Sequence, residues 1–378
     1  MTSMVYLDWN ATAPLRAVAR EAWLTAYETA WANPSSIHGL GQQSRSLLDE
    51  AKRTIAQLLG AKSQELVFTS GGTEANALAL AQVSGKIAAC AIDHSSVLRN
   101  APEAHLLPVD DAGRVHVTGL PSDSALVAFQ CANNELGTLQ DIPALVRAIR
   151  AQAPQAKILL DACQGAGKIS LQLNHLGVDY ASITGHKFGA PKGCGVLYVR
   201  SGLRLSPLFR GGRQQQDRRS GTEDAAQAAA FAAALTDSQA QQEGEAQRQR
   251  ELLNTCFARI QAQLPAARWL AHAAPRLANT LSLGHPGALN DTLVQRLDLR
   301  GFAVSVGSAC MAGKSVDGKA EPSHVIAALG LPRDLARSVI RVSIGHLTTA
   351  ADLYAFAEAY VQEVRSTSHS ISSPTLHL

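Results

Sequence analysis

Charge is scarce in this chain, and what there is nearly cancels. Charged residues make up 17%, and 34 Lys+Arg against 31 Asp+Glu leave a formal net charge of +3. That balance builds no basic stripe able to follow a phosphate backbone, so neither nucleic acid nor an anionic membrane is expected as a partner. No run of 18 or more apolar residues occurs, so no segment is predicted to span a bilayer. The stretch from Met1 to Asp8 lacks a basic region followed by an apolar one and is not read as a signal peptide. A cytoplasmic location is the expectation. The cysteines, at 90, 131, 163, 194, 256 and 310, contain no C-x-x-C spacing, which removes zinc ribbons and dithiol redox motifs. Each is expected to be a free thiol, most of them buried as small apolar groups. Nucleotide motifs fail too. Gly313-Lys314-Ser315 could end a P-loop, but the required upstream glycine is Ser308; Gly167-Lys168 is followed by Ile169, with Ala162 upstream. No G-x-G-x-x-G opens a helix, and neither H-E-x-x-H nor an EF-hand loop is present, so nicotinamide and common metal chemistries lose their usual support.

What is present is apolar and periodic. Hydrophobic residues reach 46% of 378, too long a chain for one small core, so a large domain with a smaller one is expected. Strand candidates are Leu66–Thr69, Ile87–Ile92, Ala125–Cys131, Lys157–Leu160, Val178–Ile183 and Gly195–Val199. Helical patterns cover about 15–31, 43–59 and 141–151. Buried strands alternating with helices predict an α/β fold, a mostly parallel sheet covered on both faces. The Ala- and Gln-rich stretch 223–264 reads as long helices leading to a second domain. That domain has strands expected near 277–283, 302–306 and 339–344, and helices near 289–299, 323–329 and 350–365. The expected boundaries are 15–245 for the large domain and 1–14 with 246–365 for the small one. The polar stretch 366–378 is expected to be a mobile tail.

In such folds ligands gather at the C-terminal ends of the strands. Five polar clusters fall there: Ser70-Gly71-Gly72-Thr73, Asp93-His94, Asn133-Asn134-Glu135, Asp161 to Gln164, and Thr184-Gly185-His186-Lys187. A glycine turn opening a helix makes an anion site. A lysine held in a partly dry loop becomes an amine nucleophile able to form a Schiff base. With an acid at a third strand end, the set suits pyridoxal phosphate, whose phosphate, aldehyde and ring nitrogen need these partners. Asp161 would pair with the ring nitrogen, His94 would lie flat on the ring and move protons as a catalytic residue, and Gln164 would donate to its phenolic oxygen.

The segments Tyr6–Pro14, Asn33–Ser36, Phe68–Glu74, Asn133–Gly137, Asp161–Gln164, Gly185–Lys187, Arg219–Thr222, Gly307–Cys310 and Glu321–His324 together resemble the cysteine desulfurases of the NifS/IscS type, within the class-V aminotransferase family. The resemblance implies fold type I, aspartate aminotransferase-like: a large domain with a mostly parallel seven-stranded sheet plus a small α+β domain. It implies that Lys187 carries the cofactor, that Gly72, Thr73, Thr184 and His186 hold its phosphate, and that Thr222 reaches in from a second copy of a homodimer. Asn134, Asp161 and Gln164 would contact the ring, with His94 stacked on it. Arg341 would bind the substrate carboxylate, with Asn33 nearby. Cys310, in a loop of small and polar residues, becomes the nucleophile that takes sulfur from L-cysteine as a persulfide, with L-alanine released and the sulfur passed to an acceptor such as an iron–sulfur scaffold. Lys187, once freed, would take the α-proton. The loop from Met311 to Ala320 is longer than the family pattern, which bears on the acceptor more than on the chemistry. Selenocysteine lyase activity, another pyridoxal phosphate reaction such as transamination, and a silent scaffold subunit for sulfur carriers stay open as alternatives.

Overall fold

The strands follow from unbroken apolar runs, and the computed structural model, which describes residues 4–307, 315–316 and 319–371, pairs seven of them in one sheet. The chain enters on a two-residue strand, β1 (Val5–Tyr6), followed by helices α1 (Ala17–Thr29) and α2 (Gly39–Leu58). Strand β2 (Leu66–Thr69) turns at Ser70-Gly71 into α3 (Gly72–Leu80). Then come β3 (Ile87–Cys90), β4 (His105–Leu107), β5 (Leu126–Gln130), β6 (Lys157–Asp161), β7 (Tyr180–Thr184) and β8 (Gly195–Val199). Their order across the sheet is β2-β8-β7-β6-β5-β3-β4. Only β8 runs antiparallel to its neighbours; the other pairings are parallel.

Burial on both faces explains why these strands read as continuous apolar runs rather than alternating ones. Val127, Phe129, Ile158, Leu160, Ile183 and Val196 pack into a core shared with Leu48 and Ile55 of α2. Their neighbours in sequence, Leu126, Ala128, Leu159 and Leu197, face the opposite core with Ala75, Leu78 and Ala79 of α3. The period of two thus divides each strand between two cores. β4 was not among the expected strands. It is a three-residue edge strand with two exposed residues, and no periodic signal survives at that length.

A separate cluster contains Leu7, Leu253, Ile260, Leu281, Leu293, Phe302, Val342, Phe356 and Tyr360. Here the strand Thr280–Gly284 pairs antiparallel with Ile340–Ser343 on one side and with Arg268–Trp269, also unexpected, on the other. β1 pairs in parallel with Phe302–Ala303. The last helix, Ala350–Ile371, passes the expected end at 365. Serine carries little apolar signal, but an established helix propagates cheaply, and Ser366 donates its hydroxyl to the Glu363 carbonyl one turn back. The part of the expected tail after Ile371 lies outside the described residues. Among the described residues no helix is long and apolar enough to cross a membrane.

The segment between β1 and α1 ties the two cores together. Ser343 donates its backbone N–H to Leu7, Asn10 donates to the Ser343 hydroxyl, and Ala13 donates to the His186 carbonyl at the end of β7. A stretch of polar, irregular sequence is thereby threaded past the C-terminal ends of the strands.

Candidate functional site

At those strand ends lies a cavity of about 280 Å³. Gly72, Thr73, His94, Asn134, Asp161, Gln164, Thr184, His186, Lys187 and Arg341 all line it, together with Asn10, Ala11, Ser96 and Cys163. Three expected residues are not brought there. Asn33 is exposed in a turn, where its Oδ1 accepts the Ser35 N–H at 2.9 Å. Thr222 lines a different cavity of about 210 Å³ beside Arg219. Cys310 lies outside the described residues.

Lys187 occupies the tight turn after β7, where β-structure gives way to a short 3₁₀ segment. Its Nζ donates to the carbonyls of Asn10 and Ala11 at 2.8 and 2.9 Å. Burial lowers its pKa, with Arg341 adding to the effect and Cys163, Asp161 and Asp8 opposing it. A neutral lysine amine has two protons; with both given to carbonyls, its lone pair is free for chemistry.

Asp161 ends β6 and is buried. Oδ1 accepts the Cys163 N–H at 3.0 Å and Oδ2 accepts from Asn76 Nδ2 at 3.0 Å. His94 follows β3 and caps a short helix, its Nδ1 accepting the Ser96 N–H at 3.1 Å. Burial lowers its pKa; Lys187 and His324 push the same way, against Asp161. His186 is driven down to about 4 by burial and by Lys187, Lys192 and Lys168, so its imidazole is neutral at pH 7.

The N-terminus of α3 opens on the same cavity, its first N–H groups unpaired within the helix. A Cβ at position 72 would stand 2.5 Å from Cys163 Sγ, so a side chain there would force a shift. Ser70 N–H is held by Glu74 at 2.7 Å, and Glu74 in turn pairs with Arg219 at 2.8 and 3.2 Å. Burial alone would raise the Glu74 pKa, but the Arg219 and Ser70 hydrogen bonds hold it below the ordinary value. That pair pins the loop carrying Thr222 to the β2–α3 turn.

Arg341, on the small sheet, is buried yet reaches the cavity. Nη2 pairs with Asp8 at 2.5 Å and Nη1 donates to the Asn134 carbonyl at 3.2 Å. Its Nε is buried and has no partner among the described residues, an N–H open to an acceptor.

Sequence reasoning missed Asn10 and Lys168. Asn10 offers its carbonyl to both Lys187 and Gln164, and its Oδ1 to Lys168 and Asn279. Lys168 donates to Gln164 Oε1 at 2.7 Å, which leaves the Gln164 amide N–H₂ pointing the other way, onto Asn10. Its pKa falls to about 7 through burial and the nearby Lys187 and Arg341. Asn10 lies inside the Tyr6–Pro14 segment, and Lys168 follows Gly167 in a stretch that fails as a P-loop. Nothing local in the sequence distinguishes either from an ordinary loop residue.

The family model for aminotransferase class-V matches residues 5–356. The chain is 35% identical over 371 residues to "Cysteine desulfurase IscS" of Dictyoglomus turgidum, covering 93% of this chain and 92% of that protein. It is 36% identical over 368 residues to "Cysteine desulfurase" of Cereibacter sphaeroides, covering 92% of each. Among solved structures, the NifS-like protein from Rickettsia africae superposes with a TM-score of 0.86 at 29% identity, covering 96% of this chain and 99% of that one.

Proposed function

The chain belongs to the class-V aminotransferase family, and from that membership and the donor set of its cavity we propose that it is a pyridoxal phosphate-dependent cysteine desulfurase. The observation that carries the reading is Lys187, an amine with a lowered pKa whose cavity also holds a buried carboxylate, a bare helix N-terminus and a buried arginine with an unused N–H. The cofactor's three polar features fit these groups. Its phosphate suits Gly72, Thr73, Thr184 and the neutral His186; its ring nitrogen suits Asp161; its aldehyde suits Lys187; Gln164 and Asn134 are left for the ring's edge, and His94 for its face. Bound there, pyridoxal phosphate supplies a carbonyl for an amine and a ring that withdraws electrons from the substrate's α- and β-carbons.

The remaining chemistry belongs to the chain. Arg341, already fixed by Asp8 and Asn134, offers its unpaired Nε to the substrate carboxylate. Asn33, exposed in this chain, would have to act through a partner or a rearranged turn to join it. Lys187 is the base for the α-proton; burial lowers its pKa, and its Nζ is held by the carbonyls of Asn10 and Ala11. Cys310 takes the substrate sulfur as a persulfide while alanine leaves, and an acceptor protein collects that sulfur for iron–sulfur cluster or other thio-cofactor assembly. We also read the protein as a homodimer in which Thr222 serves the partner's phosphate site. Residues 15–245 form the cofactor domain, and 1–14 with 246–365 the smaller one. A reducing cytoplasm suits the five described cysteines, all free thiols.

Purified protein supplied with pyridoxal phosphate and L-cysteine should turn over to alanine and sulfide when a thiol reductant is present. Cys310→Ser should keep the visible absorbance of the loaded protein and lose persulfide; sulfide release at the parent rate would remove Cys310 from the mechanism. L-selenocysteine run in parallel separates the lyase alternative. A preparation that stays colourless with the cofactor added would sink the whole reading.

A further inference from the structure

Asp161 and His94 are joined by a buried chain of hydrogen bonds. Asn76, fully buried on α3, gives one amide N–H to Asp161 Oδ2 at 3.0 Å and the other to Ser96 Oγ at 2.9 Å. Ser96 Oγ lies 2.8 Å from His94 Nδ1, and the Ser96 backbone N–H reaches the same nitrogen at 3.1 Å. The direction of every bond is fixed from the two ends. A carboxylate only accepts, so Asn76 presents its NH₂, and its Oδ1 has no partner among the described residues. A backbone N–H only donates, so His94 Nδ1 is an acceptor. Between them, the Ser96 hydroxyl receives the Asn76 proton and gives its own to Nδ1.

We propose that Asn76 and Ser96 are positioning residues that lock His94 as the neutral imidazole protonated on Nε2. Nδ1 is occupied by two donors, so His94 offers the cavity an N–H and no lone pair. It therefore acts as a hydrogen-bond donor to an electron-rich atom, such as substrate sulfur, and not as the base that removes a proton. Protonating His94 would require breaking both bonds at Nδ1. Among the described residues, Asp161 favours the cation; Lys187 and His324 oppose it, as does burial. The catalytic meaning rests on the cavity being the pyridoxal phosphate site, but the tautomer does not.

The test is nitrogen NMR of histidine-labelled protein, cofactor-free and cofactor-loaded, with His94→Gln used to assign the signal. His94 should show a protonated Nε2 and an unprotonated Nδ1 through neutral pH in both forms. Ser96→Ala removes one donor, so His94 should then titrate at higher pH; Ser96→Thr, which keeps the hydroxyl, should restore the parent titration. A protonated Nδ1 in the parent protein overturns the proposal, as does a titration unchanged in Ser96→Ala. If the tautomer is found but no cofactor binds, the hydrogen-bond chain fixes His94 as proposed and the reading of the site fails.

Discussion

Individual residues in this cavity work through partners fixed elsewhere in the chain. Arg341 is positioned by Asp8, distant in sequence, and its free Nε is what a carboxylate would meet. Hydrogen bonds to charged groups are worth about 1.5–3 kcal/mol, so Arg341→Gln should lower kcat/KM for L-cysteine by about 10- to 100-fold. Most of that loss should appear in KM, and the bound-cofactor absorbance should persist; steady-state kinetics and a spectrum decide it. Lys168 gives a prediction in pH. Its pKa of about 7 in the folded chain lies below the ordinary lysine value of 10.5. The unfolded chain therefore binds the extra proton between those values, and stability rises as pH climbs through that window. Lys168→Met should flatten this rise, which melting temperatures at pH 7 and 9 would reveal; an equal rise in both proteins would show that Lys168 is not the cause.

At the scale of elements, the β2–α3 turn is a tight junction. Gly72→Ala places a methyl 2.5 Å from Cys163 Sγ, and overpacking of that kind costs about 1–3 kcal/mol. Cys163→Ala removes the sulfur, and the next atoms from that methyl are then 3.8 and 3.9 Å away, ordinary contact. The double variant should recover most of the stability lost by Gly72→Ala, measured by urea unfolding; additive losses would mean the clash lies elsewhere. Glu74 joins this turn to the Arg219 loop. Its lowered pKa contributes stability above the unfolded value that is lost as pH falls through the folded one. Glu74→Gln should thus be less stable than the parent at pH 7, and the two should converge in acid. These elements were legible in the sequence to differing degrees. β5 to β8 announced themselves because burial on both faces demands unbroken apolar runs. β4 and Arg268–Trp269 did not, because two or three residues at a sheet edge leave no period to read.

Over the whole molecule, what could be read was the set of strand-end residues; what could not was the threading that joins them. The order of the sheet explains the first: five polar clusters follow strands of one sheet, so the topology alone brings them to one edge. Asn10 explains the second. It is a hub only because the segment after β1 crosses from the small core to the end of β7, a path set by contacts distant in sequence. The same scale raises the question of a second copy. Leu24, Tyr27, Trp31 and Ile37 are exposed, Trp31 at 67% and Ile37 at 91%, within and just after α1. Thr222 sits exposed in a cavity that Ser70 also lines, and does not line the cavity of Lys187. A homodimer that covers the α1 region would account for both, since large exposed apolar side chains close in sequence mark association surfaces. Sedimentation should then give a dimer, and Trp31→Glu with Ile37→Glu should shift it to monomer. The monomer should bind pyridoxal phosphate more weakly than the parent, and Thr222→Ala should weaken binding while leaving the dimer intact. A parent protein that sediments as a monomer with full cofactor affinity would show that one chain completes the site alone.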